Sequence, residues 1–182
     1  MKLDKEVVEG FVRVFLAPRM DATKAIPDFH RELWDDFCSD NKKICHAAPR
    51  GTAKTTAITF SCTLASVLFR DRDFVVLVSK TEGQVVRFLA NIKTELLVNT
   101  ELREQFGVSK FIKDTETEIV VEMKDGHQFC IIVRGSEQEV RGLQWNGKRP
   151  NLIVIDELGN TIPPITKYDY NDSFSFREKD KK

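Results

Sequence analysis

The sequence contains no long apolar run, no excess of either charge and no regular cysteine pattern. Its longest mainly apolar stretches, residues 63–69 and 74–78, are far shorter than the ~20 residues that a membrane-spanning helix needs. Acidic residues stand at positions 4, 6 and 9, where a secretory signal would have basic residues and then an apolar centre. We therefore expect no membrane contact and no export.

The charges cancel, with 28 Lys and Arg against 28 Asp and Glu. A chain without net charge attracts nucleic acid only through a local patch. The four cysteines form no C-x-x-C pair, and with the three histidines they complete no zinc spacing. Buried free thiols in a reducing compartment are the expectation for Cys38, Cys45, Cys62 and Cys130.

A chain of 182 residues that is 41% hydrophobic and 31% charged is typical of one globular domain. We expect this domain to cover residues 1–160. Residues 161–182 contain a Pro-Pro pair and end in a run of charges, which predicts a polar tail with little order.

Apolar periodicity predicts helices that alternate with strands. Helical spacing covers residues 7–16, 27–37, 55–69, 82–98 and 100–106. Short apolar or alternating runs predict strands at residues 44–48, 74–79, 117–123, 128–133 and 152–155, and Asp125-Gly126 is a hairpin turn signal. This alternation predicts an α/β domain with a mostly parallel sheet, flanked by helices and carrying an inserted β-hairpin.

Residues 47–56 lie between a predicted strand and a predicted helix, where a phosphate-binding loop belongs. Lys54 and Thr55 match the end of the pattern G-x-x-x-x-G-K-[ST], whereas Ala48 and Ala53 replace its two glycines and Gly51 lies inside the loop. In such a loop the lysine contacts phosphate oxygens and the hydroxyl binds Mg²⁺. An ordinary helix start with an exposed lysine is the alternative. The residues expected to bind nucleotide are Pro49, Arg50, Gly51, Thr52, Ala53, Lys54, Thr55 and Thr56.

Residues 152–157 read Leu-Ile-Val-Ile-Asp-Glu, the Walker B arrangement of a buried strand that ends in two acids. Ligands of open α/β sheets bind at the carboxyl ends of the strands, where these carboxylates emerge. Asp156 is thus expected to help hold Mg²⁺, together with Thr55, and Glu157 to orient or deprotonate the attacking water. Arg50 is placed to reach the γ-phosphate. A strand that simply ends in a polar turn is the alternative.

Several spaced blocks resemble the ATPase domain of the large subunit of tailed-phage (viral) terminases. The blocks lie at residues 30–34, 48–56, 77–82, 91–96, 140–143 and 149–157, in the order found in that family. The loop with Arg50, and with alanine before its lysine, is itself a terminase-like variant of Walker A. Acids at Asp156 and Glu157, with Gly159 further on, match the members that read Asp-Glu directly.

The resemblance implies a P-loop NTPase fold of the RecA-like (ASCE) type that uses ATP and Mg²⁺ to move double-stranded viral DNA into a procapsid. It implies a homo-oligomeric ring on the portal protein, a small terminase subunit as partner, and a location in the infected host's cytoplasm at the portal vertex. Arg50 corresponds to the Walker A arginine, and Arg141 to an Arg-Gly block that we expect to face a neighbouring subunit's nucleotide. The family continues with a coupling motif, a lid and a nuclease, none of which we expect in this chain.

Two other functions stay open at this stage. The chain could be a nucleotide-binding or assembly fragment that does not hydrolyse ATP, because the coupling motif is not found. A helicase-like nucleic-acid ATPase is least favoured, because 182 residues hold neither a second RecA-like domain nor helicase motifs. Trp34 is a candidate for the adenine pocket, although a core tryptophan is the favoured interpretation.

Overall fold

The computed structural model describes residues 2–20, 26–47 and 51–157 of the chain. The helices are α1 (Lys5–Phe11), α2 (Asp28–Cys38), α3 (Thr63–Leu68), α4 (Glu82–Val98) and α5 (Thr100–Phe106). A π-helical segment, Val12–Leu16, and a 3-10 turn, Ala17–Arg19, extend α1, and a second π-helical segment, Thr55–Cys62, leads into α3. The strands are β1 (Phe74–Ser79), β2 (Val108–Asp114), β3 (Glu118–Met123), β4 (Gln128–Gly135) and β5 (Leu152–Asp156).

The start and end of α4 and α5 follow from local capping. The Thr81 side chain accepts a hydrogen bond from the backbone N–H of Gln84 and so caps the start of α4. Asn99 ends α4 and caps α5 by accepting from the N–H of Leu102. Gly107, with φ of 70°, closes α5 in the left-handed conformation that glycine adopts without steric cost. Both helices therefore cover the predicted residues.

The five strands form one mixed sheet in the order β2-β3-β4-β1-β5. Strand β1 pairs parallel with β4 and β5, whereas β3 pairs antiparallel with β2 and β4. The expectation of a mostly parallel sheet is wrong, because half of these pairings are antiparallel. The predicted hairpin turn at residues 125–126 is confirmed, but its second strand, β4, lies in the middle of the sheet beside β1. The hairpin is thus part of the sheet rather than an insertion into it.

Each face of the sheet packs against a different layer. The main core joins one face, including Val75, Leu77 and Val154, to buried side chains from α1 through α5. A smaller cluster on the other face contains Phe74, Val76, Val78 and Ile132, and side chains of the loop at residues 136–150 pack against it. The fold is therefore α/β, and the described helices of the main core lie on the face that also carries Val154.

The predicted strand at residues 44–48 is wrong within the described residues. Residues 43–47 form no strand, and Ile44 is 38% exposed, while Ala48 lies outside the described residues. Strand β5 is the outer strand here, and its Ile153 and Ile155 are 48% and 56% exposed. A strand needs partners for its backbone N–H and C=O groups, and residues 43–47 do not pair with β5.

The remaining structural expectations concern thiols, membranes and the tail. All four cysteines are free. Cys62 and Cys130 are buried as expected, and burial raises the pKa of the Cys130 thiol to about 12. Cys38 is only half-buried and Cys45 is exposed, so these two depart from the expectation. None of the described helices is both long enough and apolar enough to cross a bilayer. The predicted tail at residues 161–182 lies outside the described residues.

Candidate functional site

Two side chains predicted to bind a metal meet across the fold. The Thr55 hydroxyl, Oγ1, donates a hydrogen bond of 2.8 Å to Oδ2 of Asp156. Thr55 is the first residue of the second π-helical segment, and Asp156 is the last residue of β5. Folding therefore brings the end of the candidate phosphate loop to the carboxyl end of the strand that carries the acids, although 101 positions separate the two residues.

The environment of Asp156 disfavours its charged form. Burial is the main cause that raises the pKa of this carboxyl above its ordinary value, and the neighbouring carboxylate of Glu157 raises it further. The Thr55 hydroxyl and the Lys54 ammonium act in the opposite direction. A cation bound beside this carboxyl would act in the same direction as Lys54 and lower its pKa.

The described part of the loop has the backbone of a glycine-rich turn. Gly51 has φ of 82° and Ala53 has φ of 54°, both in the left-handed region. Ala53 occupies the position where the usual motif has glycine, and it adopts this conformation despite its Cβ atom. Lys54 then takes helical angles and begins the helix. Pro49 and Arg50, two of the predicted site residues, lie outside the described residues.

The helix α2 holds the loop through a histidine. Nε2 of His30 lies 2.9 Å from the carbonyl oxygen of Thr52. A carbonyl oxygen only accepts, so Nε2 carries the proton and donates this bond. Sequence reasoning placed His30 in a resembling block without a role, because the contact spans 22 positions and needs the tertiary fold.

A second contact from α2 reaches the helix that follows the loop. Trp34 is 1% exposed, and its Nε1–H donates a 3.0 Å bond to the carbonyl of Ala57. The thiol of Cys62 donates to the same carbonyl, and the hydroxyl of Ser61 donates to the carbonyl of Thr56. Trp34 is therefore a core residue, as favoured, and it supports a π-helical segment, a conformation found often at functional sites.

Two predicted catalytic residues, Glu157 and Arg141, lie in different places relative to the contact between Thr55 and Asp156. Glu157 is exposed, has φ of 51°, and lies close enough to Asp156 to affect its pKa. Arg141 is exposed in a turn of the loop at residues 136–150, which packs on the sheet face opposite to that of Asp156. The structure thus groups Thr55, Asp156 and Glu157 and leaves Arg141 on a separate surface.

Sequence reasoning placed Ser79, the last residue of β1, in a resembling block without a role. Ser79 is fully buried and lies in register between Asp156 on β5 and Gly135 on β4. Its hydroxyl has no hydrogen-bond partner among the described residues. The signal that could have indicated it is a polar residue at the end of an otherwise apolar strand, at the sheet edge where ligands bind.

Thr55 and Asp156 offer two oxygen donors, which are too few to hold a metal ion by themselves. Among the described residues, no group of three or more His, Cys, Asp or Glu side chains could hold a metal ion. Mg²⁺ keeps several waters and binds through one or two carboxylates together with substrate phosphates. The Thr55 hydroxyl and the Asp156 carboxylate would fit Mg²⁺ that is also bound to phosphates.

Comparisons with known proteins give no information about this site. No family model, no curated protein and no solved structure matches this chain. The predicted residues that the described structure brings together are Lys54, Thr55, Asp156 and Glu157, and it adds His30 and Ser79 to them.

Proposed function

We propose that this chain binds and hydrolyses Mg²⁺–ATP as the motor domain of a viral DNA-packaging terminase large subunit, with a P-loop NTPase fold. The observation that carries the proposal is the 2.8 Å hydrogen bond between Thr55 and Asp156. This bond connects two segments. One is a loop with left-handed backbone angles that leads into a helix, and the other is the strand β5, at whose end Asp156 and Glu157 lie. Among P-loop ATPases, we choose the terminases because several sequence blocks of this chain resemble that family.

Each residue has a chemical role in this proposal. Backbone N–H groups of residues 51–56 receive the phosphates at the positive end of the helix, and Lys54 contacts their outer oxygens. Thr55 and Asp156 hold Mg²⁺, which when bound neutralises phosphate charge that develops in the reaction. Glu157 accepts the proton of the attacking water. Arg50 stabilises charge on the γ-phosphate, and Arg141 acts on a neighbouring subunit's nucleotide.

The proposal includes the partners of this chain and its location in the infected cell. The motor is a homo-oligomeric ring on the portal protein, works with a small terminase subunit, and moves double-stranded viral DNA. It acts in the cytoplasm of the infected cell, at the portal vertex of the procapsid. Because the chain carries no net charge, its DNA contact depends on a local basic surface formed in the ring, and DNA binding should weaken with salt.

One observation favours a second candidate, a nucleotide-binding or assembly fragment without hydrolysis. Glu157 is exposed at a strained φ of 51°, and no described strand covers the outer edge of β5 beside it. An active base must be held within hydrogen-bond reach of its water. ATP binding without phosphate release, even at high protein concentration, would establish this candidate instead. A helicase-like ATPase would instead require nucleic-acid unwinding by this chain.

The first experiment is calorimetric titration of the chain with ATP and Mg²⁺, followed by phosphate release on the same sample. Lys54→Ala is expected to abolish binding, because the loop loses the cation that faces the phosphates. Lys42→Ala, which removes an exposed lysine outside the loop, is the control and should bind like the parent. Unchanged ATP affinity in Lys54→Ala would rule out the phosphate-loop assignment.

A second variant tests the proposed base. Glu157→Gln should keep ATP binding and lower turnover by at least about 100-fold, because the amide cannot take a proton. Glu116→Gln, at an exposed position between β2 and β3, should leave both properties unchanged. Equal turnover in Glu157→Gln and the parent would show that another group acts as the base.

A further inference from the structure

The hydroxyl of Ser79 lies buried at the carboxyl end of β1, and no described residue is its hydrogen-bond partner. Ser79 is fully inaccessible, and its Oγ makes no hydrogen bond to any residue that the structure describes. A buried hydroxyl that lacks a partner is costly and is seldom retained without a reason. Alanine would fill the same place on β1 without that cost.

The surroundings of Ser79 indicate which group it serves. Gly135, its neighbour on β4, has no side chain, and a Cβ there would come within 3.0 Å of the backbone nitrogen of Glu82. Asp156, its neighbour on β5, carries a carboxylate. Parallel neighbours in register lie about 5 Å apart with side chains on the same face, so the Ser79 hydroxyl is within reach of this carboxylate.

The Asp156 carboxylate has a hydrogen bond from the helix side. Thr55 donates to its Oδ2 from the helix that follows the loop. A metal-bound carboxylate is ordinarily oriented by further hydrogen bonds, whose loss costs 10–100-fold in metal affinity. A serine hydroxyl can supply such a bond by rotation of its side chain alone.

We propose that Ser79 is a positioning residue for Asp156, whose carboxylate it holds by a donated hydrogen bond when Mg²⁺ and ATP are bound. Thr55 then fixes the carboxylate from the helix side and Ser79 fixes it from the β1 side. The inference rests on the proposed function, because it assigns Ser79 to the same metal site. It also explains why a strand that is otherwise apolar ends in a buried hydroxyl.

The test compares Ser79→Ala with Ser66→Ala. Ser66, on α3, is also fully buried with an unpartnered hydroxyl, and it follows Thr55 by roughly 16 Å of helix. Calorimetry measures the dissociation constant of ATP in EDTA and in saturating Mg²⁺. The quantity compared is the constant in EDTA divided by the constant in Mg²⁺. Ser79→Ala should lower this ratio about 10-fold and leave the value in EDTA unchanged. Ser66→Ala should leave both unchanged.

Thermal unfolding without ligand separates positioning from packing. Each variant removes a buried hydroxyl that has no partner, so neither should lower the melting temperature. A melting temperature that falls only in Ser79→Ala, with an unchanged Mg²⁺ ratio, would show a structural role and overturn the proposal. A parent chain that binds ATP with Mg²⁺, and a Ser79→Ala variant identical to it, would overturn the Ser79 assignment alone. A parent chain that binds no ATP would overturn both this assignment and the proposed function.

Discussion

Replacement of Ala53 by glycine should stabilise the free protein. Ala53 has φ of 54°, a left-handed conformation in which Cβ crowds the following carbonyl. Gly51, two positions earlier, has φ of 82°, and a Cβ there would meet no atom within 4 Å. The reverse replacement, Gly51→Ala, therefore tests the same backbone effect with no added steric contact from a neighbour.

The magnitude follows from two opposing terms. The left-handed conformation costs a residue with Cβ about 1–2 kcal/mol. Glycine loses more backbone freedom on folding than alanine, at a cost of about 0.5–1 kcal/mol. Ala53→Gly should thus raise the free energy of unfolding by about 0.5–1 kcal/mol, and Gly51→Ala should lower it by a similar amount. For a chain of this size, that corresponds to a shift in melting temperature of about 1–4 °C.

Thermal unfolding followed by circular dichroism measures both shifts. Ala90→Gly serves as the control, because Ala90 is exposed in the interior of α4, and glycine there should cost about 1 kcal/mol. If Ala53→Gly destabilised the chain as Ala90→Gly does, Ala53 would have ordinary helical angles. The assignment of a glycine-like loop would then be incorrect.

Two further predictions concern side chains around the loop. The pKa of Asp156 is higher in the folded protein than its value of about 3.9 in the unfolded chain. The protonated carboxyl therefore stabilises the folded state below about pH 3.9, and this stabilisation is lost as the pH rises through the folded pKa. Asp156→Asn should therefore stabilise the free chain against urea at pH 7 and have little effect at pH 3; equal effects at both values would contradict the raised pKa. Trp34→Phe removes the bond to the Ala57 carbonyl and should lower the free energy of unfolding by about 1–2 kcal/mol. Trp145→Phe, at a half-buried position, should cost less, and the opposite order would argue against the Trp34 bond.

The elements that the sequence predicted best carry their own local signals. β1, α4 and α5 have the predicted residues, because an apolar β-branched run marks the strand and side-chain caps mark the helices. Strand β2 was missed. It lies at the edge of the sheet with mostly exposed side chains, so its sequence shows little apolar alternation, and pairing with β3 makes it a strand.

In the candidate site, too, residues in local motifs were predicted, whereas residues that depend on distant neighbours were not. Thr55 and Asp156 were predicted because each stands in a short motif at the end of an element. The fold brings them into a 2.8 Å contact, and their role as metal ligands stays a prediction. His30 and Ser79 were not assigned a role, because their importance depends on neighbours distant in sequence. Arg141 was named from the resemblance, and its role stays a prediction.

The amino-acid sequence by itself determined the α/β class, the hairpin turn, the helices α4 and α5, and the residues at the ends of the loop and of β5. These depend on periodicity, caps and turn residues, which act over a few positions. Only the tertiary structure decided the mixed strand order, the unpaired state of residues 43–47 and the meeting of Ser79, Asp156 and Thr55. Each of those depends on which strands share backbone hydrogen bonds, and that choice is made by the whole sheet and its core rather than by any local segment.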